Sequence, residues 1–364
     1  MTDNIYDVFL RLLRVGIGHA NPDSVLLPDA VDWAALKDLA EKQGLSAVIL
    51  DGIERLKGCG ISLGLPDKSF MMQWIGEVLN ECEYYYNLCC RTIAQMAGFY
   101  NKHGFKMMVL KGYACSLNWP RPEHRPVGDI DIWQFGRQKE ADALLASKKG
   151  IEVDSSHHHH TVFYWGDFMV ENHYDFINVY SRKSNRELEK TFKALGQDDT
   201  HSIELYGKKV YLPSPNLHSL FLIRHLAAHF TSTNITLRQL LDWAFFTEKH
   251  TDEIDWEWLG DVIEKHQMMD FYNCLNAICV EDLGFDASVF PGGQFDPAIK
   301  GRILADIIDP AFGDDVHKHL IPRVLYKFRR WKANSWKRRF CYKESDWKIF
   351  WGSVGAHILK PRSI

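Results

Sequence analysis

Two aspartates separated by one residue are the part of the sequence best suited to chemistry. Asp129 and Asp131 stand in the alternating run Asp-Ile-Asp-Ile-Trp-Gln-Phe, which predicts a β-strand. Because side chains alternate along a strand, both carboxylates are expected on one face. Two neighbouring carboxylates repel each other unless a cation lies between them, and their oxygen atoms favour Mg²⁺ or Mn²⁺. The sequence therefore predicts a metal site here; the alternative is an exposed strand or turn.

The residues around this pair point to a phosphate ligand. The apolar run Phe-Lys-Met-Met-Val-Leu, a predicted buried strand, ends at Lys111 and Gly112. A lysine can place a charge on a phosphate, and a glycine lets the phosphate approach the backbone where the next helix begins. We expect Arg121 and Arg125 to contact phosphate or substrate and Gly128 to allow close approach of the ligand. The alternative is a solvated strand end followed by a surface loop.

A third carboxylate is expected from a second strand. In the run Phe-Met-Val-Glu-Asn-His-Tyr-Asp-Phe, Glu171, His173 and Asp175 share one face if the strand is regular throughout. Glu171 is the preferred third acid and Asp175 the alternative; either could complete the metal site or take a proton from an attacking hydroxyl. His173 is expected to support the site by a hydrogen bond, because a hard ion prefers oxygen ligands.

Other residue pairs have helical spacing and allow two interpretations each. His225 and His229 have the spacing of zinc ligands, but no glutamate follows the first histidine, which favours a packing role or a supporting role beside the site. Arg238 and Asp242 are expected to form an intrahelical ion pair or to lie beside the active site. The four consecutive histidines 157–160 could bind a transition metal, although only alternate members of a strand would face the acidic pair.

The hydrophobic patterns predict a sheet in the middle of the chain that could position these residues. Residues 1–99 and 214–364 have helical periodicity, with a break between two helices expected at Gly44. Residues 100–213 contain short strands, a helix and hairpin-like turns at Gly166-Asp167 and Tyr206-Gly207. We expect an α+β fold in which a mixed-sheet core is flanked by an N-terminal and a C-terminal helical region. The active-site cleft is expected between the sheet and the C-terminal helices.

The composition is that of an ordinary folded chain. Its 364 residues are 46% hydrophobic and 25% charged, and a net charge of −4 does not indicate a nucleic-acid-binding surface. No apolar run is long enough to span a membrane and residues 1–20 lack the pattern of a secretion signal, so we expect a cytoplasmic protein. The cysteines lack zinc-ligand spacing and are expected to be buried thiols: Cys59, Cys82, Cys89, Cys90, Cys115, Cys274, Cys279 and Cys341.

The segment after His317 combines basic residues with tryptophans and leaves three interpretations open. Among its lysines and arginines stand Trp331, Trp336, Trp347 and Trp351. The segment could bind RNA or another polyanion by charge and stacking, or lie on a membrane surface. We favour the third interpretation, in which the tryptophans pack against the body of the protein.

Several of these motifs together resemble a known family. The sequence is similar to an uncharacterised nucleotidyltransferase family of bacterial proteins within the DNA-polymerase-beta-like superfamily. The resemblance lies in Leu110-Lys111-Gly112, Arg125, Gly128-Asp129-Ile130-Asp131, Glu171-Asn172-His173-Tyr174 and Leu237-Arg238-Gln239-Leu240-Leu241-Asp242. Asn172 stands where the family usually has an apolar residue, and Lys111-Gly112 where the wider superfamily has Gly-Ser or Gly-Gly.

The resemblance implies transfer of a nucleoside monophosphate from an NTP to an acceptor. The acceptor would attack the α-phosphorus in line, supported by two Mg²⁺ or Mn²⁺ ions at Asp129 and Asp131, with Glu171 or Asp175 as third acid. Residues expected to contact the nucleotide are Lys111, Gly112, Arg125 and Gly128, and those expected to support the site are His173, Arg238 and Asp242.

The identity of the acceptor is not determined by these motifs. A small molecule, an RNA and a protein all stay open, as do the preferred base and the oligomeric state. Two rival functions stay open: a catalytically inactive nucleotide-binding or scaffold protein on the same fold, and a metal-dependent phosphohydrolase that uses the same carboxylates.

Overall fold

The N-terminal part of the chain is helical. The computed structural model describes residues 4–28, 30–61, 63–179, 184–197, 200–313 and 320–342. The first helices are α1 (Ile5–Ile17), α2 (Trp33–Gln43), α3 (Ser46–Gly58), α4 (Lys68–Val78) and α5 (Tyr85–Lys102). A π-helical turn, Leu79–Tyr84, joins α4 to α5. Gly44 ends α2 with a left-handed φ of 67°, so the glycine stop predicted there is confirmed.

A six-stranded sheet follows these helices. Its elements in chain order, with the helices between them, are β1 (Met108–Val109), α6 (Tyr113–Ser116), β2 (Ile130–Trp133), α7 (Gln138–Lys149), β3 (His160–Trp165), β4 (Phe168–His173), α8 (Asn185–Gln197), β5 (Ser202–Leu205) and β6 (Lys208–Tyr211). The strand order is β3-β4-β2-β1-β6-β5. The β2–β4 and β1–β6 pairs are parallel and the other neighbours antiparallel. The predicted α+β fold with a mixed sheet is confirmed.

Both predicted hairpin turns are present. The β3–β4 turn pairs Trp165 with Phe168 across two residues, and its Gly166 has a φ of 60°. The β5–β6 turn has positive φ at both central residues, 48° at Tyr206 and 69° at Gly207. Turns of this kind match the twist of the antiparallel strands that they join.

Alternation along β2 assigns its side chains to two different layers. Ile130 and Ile132 belong to an apolar cluster with residues of α5 and α7 on one face of the sheet. Trp133 belongs to a larger cluster, formed with the N-terminal and C-terminal helices, on the other face. Asp131 alternates with the two isoleucines and therefore shares the face of Trp133, where it is buried.

The C-terminal helices cover the face of the sheet that carries Asp131. They are α9 (Pro215–Ser232), α10 (Leu237–His250), α11 (Trp256–Lys265), α12 (Met269–Ala277), α13 (Pro297–Ile308), α14 (Leu320–Ala333) and α15 (Ser335–Tyr342). The domain boundary expected between residues 99 and 100 falls inside α5, and the one between residues 213 and 214 falls between β6 and α9.

Part of the tail after His317 lies within the described residues, and its side chains are buried in one helix and exposed in another. Trp336 packs edge-on against Phe230 of α9, as the packing interpretation expects. The neighbouring α14 exposes Val324, Leu325 and Phe328, and Trp347 and Trp351 lie outside the described residues.

Seven cysteines are buried, as expected, but Cys59 is exposed because it follows the surface end of α3. The expectation of a buried thiol is therefore wrong for Cys59.

The sequence predicts no membrane-spanning segment, and the helices can be compared with that prediction. Across the ranges that the structure describes, no helix combines the length and the apolar character needed to cross a membrane.

Candidate active site

Strands β2 and β4 bring the two most strongly predicted acids side by side. They are parallel neighbours with Asp131 opposite Glu171, so both side chains project from the same face. Strand β1 lies on the other side of β2, and Lys111 stands two residues after the end of β1. Three residues that are far apart in the sequence thus meet at one end of three adjacent strands.

Asp131 lies at the centre of a buried group of charges. Its Oδ1 lies 2.6 Å from Lys111 Nζ and accepts a hydrogen bond of 2.9 Å from His173 Nε2. The Asp131 side chain is only 2% exposed. Burial opposes its negative charge, but Lys111 and His173 outweigh burial and lower the pKa of this carboxyl. Burial also opposes the charge of His173, yet its hydrogen bonds to Asp131 and Glu171 raise its pKa to about 9.

Asp129 lies just before β2 and is less enclosed than Asp131. It is half-buried and lines a cleft together with Lys111 and Gly112. The negative charge of Asp131, assisted by burial, raises the pKa of Asp129. Burial opposes the charge of Lys111, but the carboxylates around it raise the pKa of Lys111. The carboxylates around Asp129 therefore oppose its ionisation.

The structure separates the two candidates for the third acid. Glu171 lies 3.5 Å from His173 Nε2, and Asp131, Glu171 and His173 offer potential ligand atoms within 4.8 Å of one another. Strand β4 ends at His173, so Asp175 lies in the following bend, where its carboxylate pairs with Lys193 of α8. The predicted common face therefore ends at His173, and only Glu171 of the two candidates is placed beside Asp131.

Five of the residues described above form one group of charged side chains in the cleft. The acidic cluster consists of Lys111, Asp129, Asp131, Glu171 and His173. It holds three carboxylates but only two cationic side chains.

The strand end at Gly112 has the expected backbone freedom, but the helix that follows is short. Gly112 has a φ of 52° and immediately precedes α6, which is only four residues long. So short a helix carries little dipole, and the approach of a phosphate to the backbone at Gly112 stays a prediction. Gly128 is exposed, and a Cβ there would meet no atom within 4 Å, so a ligand has room beside it.

A second buried ion pair joins the loop before β2 to helix α10. Asp242 accepts two hydrogen bonds of 2.8 Å from Arg125, one on each carboxylate oxygen, and a third of 2.9 Å from Trp119 Nε1. Arg125 also donates to the carbonyl oxygen of Pro126 at 2.9 Å. Asp242 thus pairs with Arg125 instead of the predicted Arg238, because the loop packs closely on α10. We call Arg125 and Asp242 the bracing pair.

Arg238 lines the cleft that contains Asp129. Its guanidinium donates to the carbonyl oxygen of Pro126 at 3.1 Å, while its buried Nε has no hydrogen-bond partner among the described residues. Burial and the positive charge of Arg125 lower the pKa of Arg238. An anion in the cleft would relieve both effects.

Helix α9 forms the wall of the cleft opposite the sheet. His225 and His229 have ring centroids 4.3 Å apart and line the same cleft as Lys111 and Asp129. Burial lowers the pKa of both rings, that of His229 to about 4, so both are neutral at pH 7. Their mutual contact is the predicted packing, and their position across from the acidic cluster is the one that the predicted supporting role requires.

The run of four histidines reaches the acidic cluster through its last two members. His160 begins β3 opposite His173 of β4, and His160 Nε2 lies 3.5 Å from Glu171. His159, just before the strand, lines the cleft as well. Burial lowers the pKa of His159 and lowers that of His160 to about 4. The expectation that only alternate members would face the site is wrong, because His159 lies outside the regular strand.

Comparison with protein families shows to which family the chain belongs. Residues 29–283 match the model of a family described as uncharacterised nucleotidyltransferase, a segment that includes the acidic cluster, the bracing pair and helices α9 and α10. The chain belongs to this family of uncharacterised nucleotidyltransferases.

Comparison with individual proteins adds less. The crystal structure of an antigenic nucleotidyltransferase-like protein from Paracoccidioides brasiliensis is similar with a TM-score of 0.32 and 14% sequence identity, covering 48% of this chain and 87% of that chain. At this TM-score the similarity does not bear on the chemistry of the cleft. No curated protein has a significant sequence match to the chain.

Proposed function

We propose that this protein transfers a nucleoside monophosphate from an NTP to an acceptor group in a reaction that requires Mg²⁺ or Mn²⁺. The observation that carries the proposal is the meeting of Asp129, Asp131 and Glu171 in a cleft that also contains Lys111 and Arg238. Membership of a nucleotidyltransferase family supports the same class of reaction.

The ligand atoms fit a hard divalent cation. Asp129, Asp131 and Glu171 offer carboxylate oxygens, the ligands that Mg²⁺ prefers. The pKa of Asp129 is raised by the charge of Asp131 and by burial, with Glu171 adding to the effect, so a cation would relieve a repulsion that is present in the protein. Asp129 and Asp131 would hold the metal, which when bound withdraws charge from the reacting phosphate and the leaving pyrophosphate.

Lys111 and Arg238 are the side chains best placed to bind the triphosphate. The Lys111 ammonium has three donors, so it can keep its contact with Asp131 and also donate to a phosphate oxygen. Arg238 brings a planar fork of donors, of which the buried Nε has no acceptor within the described part of the chain. Arg125 already donates to both oxygens of Asp242, so we assign it to positioning the loop instead of direct phosphate contact.

The remaining residues of the cluster would handle the acceptor. An acceptor hydroxyl would attack the α-phosphorus, the bond from that phosphorus to the pyrophosphate would break, and the hydroxyl proton would pass to a base. Burial opposes the charge of Glu171, but its hydrogen bond with His173 lowers its pKa, so Glu171 is ionised and can bind metal or receive the proton. Rate enhancement would come from positioning and from charge neutralisation.

The test is incubation of the full chain with each NTP labelled at the α-phosphate, with Mg²⁺ and a cell extract as the source of acceptor. We expect label on an acceptor and an equal amount of pyrophosphate, both lost with EDTA and in Asp129→Asn. Asp167 is an exposed residue in the β3–β4 turn. The variant Asp167→Asn is therefore the matched control and should keep full activity. Nucleotide binding without pyrophosphate release would instead favour the inactive binding or scaffold protein. Release of orthophosphate without an acceptor would favour the phosphohydrolase.

A further inference from the structure

Three imidazoles and a carboxylate meet beside the acidic aspartates. Ligand nitrogens of His159, His160 and His173 all lie within 4.8 Å of one another. Glu171 lies beside them, 3.5 Å from the Nε2 atoms of both His160 and His173. Two ligand atoms on one tetrahedral ion, each bound at about 2.0–2.1 Å, are roughly 3.4 Å apart. Glu171 Oε1 has this spacing from His160 and Oε2 has it from His173, and the three imidazoles lie close enough to reach one ion after small side-chain movements.

Several ring nitrogens of this group form no hydrogen bond within the described ranges. His159 Nδ1 and both ring nitrogens of His160 are buried without a hydrogen-bond partner there. Buried polar atoms are almost always satisfied, and exceptions commonly mark the position of a water or an ion.

His173 has the orientation that metal-binding histidines commonly have. Its Nδ1 donates to the backbone carbonyl oxygen of Asp175 at 3.1 Å, which directs Nε2 toward Asp131 and Glu171. A histidine that binds a metal through one nitrogen usually donates its other N–H to a carbonyl or carboxylate, and this contact fixes the ring. An ion at Nε2 would replace the proton that His173 donates to Asp131.

The kind of ligand selects the kind of ion. Imidazole nitrogen suits Zn²⁺, Co²⁺ or Ni²⁺, whereas Mg²⁺ prefers oxygen. We propose that His159, His160 and His173, together with Glu171, bind one transition-metal ion next to the Mg²⁺ site of the proposed function. This inference concerns metal binding alone and does not depend on nucleotidyl transfer.

Metal titration of the full-length, metal-free protein tests the site. Calorimetry with Zn²⁺ in excess Mg²⁺ should give one ion per chain, and Co²⁺ should produce the visible absorption bands of a tetrahedral complex. His160→Ala should weaken Zn²⁺ binding at least about tenfold, by analogy with the smaller loss caused by removing a supporting group from a metal ligand. Unchanged Zn²⁺ affinity in His160→Ala would overturn the proposal.

His157→Ala is the matched control, because His157 belongs to the same run and stacks on His160 but lies outside the ligand group. It should keep its Zn²⁺ affinity; equal losses in both variants would mean that the run binds as a simple polyhistidine segment. If His160→Ala does not fold, His159→Asn takes its place with the same expected loss. Asp129→Asn should retain Zn²⁺ binding while losing transfer activity, which separates failure of this site from failure of the proposed function.

Discussion

The bracing pair and the acidic cluster are both buried ion-pair groups beside one cleft, yet their hydrogen-bonding capacity is used differently. In the bracing pair, the two groups match one to one: Asp242 receives a fork of two hydrogen bonds from Arg125 and a third from Trp119. In the acidic cluster, Lys111 and His173 both converge on one oxygen of Asp131, and Asp129 is left with a raised pKa.

This difference distinguishes a structural ion pair from a group able to react. A matched and saturated pair holds two elements together and has little capacity for another ligand. An unbalanced group, with more carboxylates than cations and with open space beside it, gains from a bound cation or phosphate. Burial alone does not separate the two groups, because Asp131 and Asp242 are both buried.

The largest expected effect is on stability and concerns the bracing pair. Asp242→Asn leaves the Arg125 guanidinium buried without a countercharge, so we expect a loss of about 3–5 kcal/mol in the free energy of unfolding. Urea denaturation monitored by circular dichroism measures this loss. Asp38→Asn removes an exposed ion pair with Lys42 and should change stability very little. Similar small losses in both variants would mean that Arg125 and Asp242 do not brace the fold.

The second prediction concerns activity and uses the acidic cluster. Asp129→Asn should reduce kcat by on the order of 10²–10³-fold, the usual cost of removing one electrostatic contact to a transition state. Its melting temperature should stay equal or rise, because the change relieves the repulsion between Asp129 and Asp131. Initial rates and thermal melts, with Asp167→Asn as control, measure both. Full activity would mean that Asp129 does not act in the reaction. A large fall in melting temperature would mean that Asp129 stabilises the fold as the bracing pair does.

The smallest expected effect is on ligand affinity. Lys111→Ala should weaken binding of a non-hydrolysable NTP roughly 10–100-fold, since a hydrogen bond from a charged donor contributes about 1.5–3 kcal/mol. Mg²⁺ affinity should be kept or increase, because Lys111 no longer competes for Asp131. Calorimetry measures both affinities, and the exposed Lys106→Ala near the start of β1 is the control. Unchanged NTP affinity would remove Lys111 from the phosphate site.

The sequence by itself determined the features that depend on local geometry. The alternation around Ile130 and Ile132 predicted a strand anchored in the core, with Asp131 on its other face, because side chains of a strand alternate. The turns at Gly166 and Gly207 and the end of α2 at Gly44 followed from the freedom of glycine to adopt a positive φ. The family motifs also predicted the kind of fold that these elements build.

Only the tertiary structure decided which distant side chains meet. The position of Glu171, and not of Asp175, beside Asp131 follows from the parallel register of β4 on β2 and from the end of β4 at His173. The partner of Arg125 lies 117 residues away on α10, and two histidines of the run 157–160 come within reach of the acidic cluster through the β3–β4 hairpin. No local period encodes such contacts, since strand register and helix docking are set by how the two apolar clusters on either side of the sheet pack together.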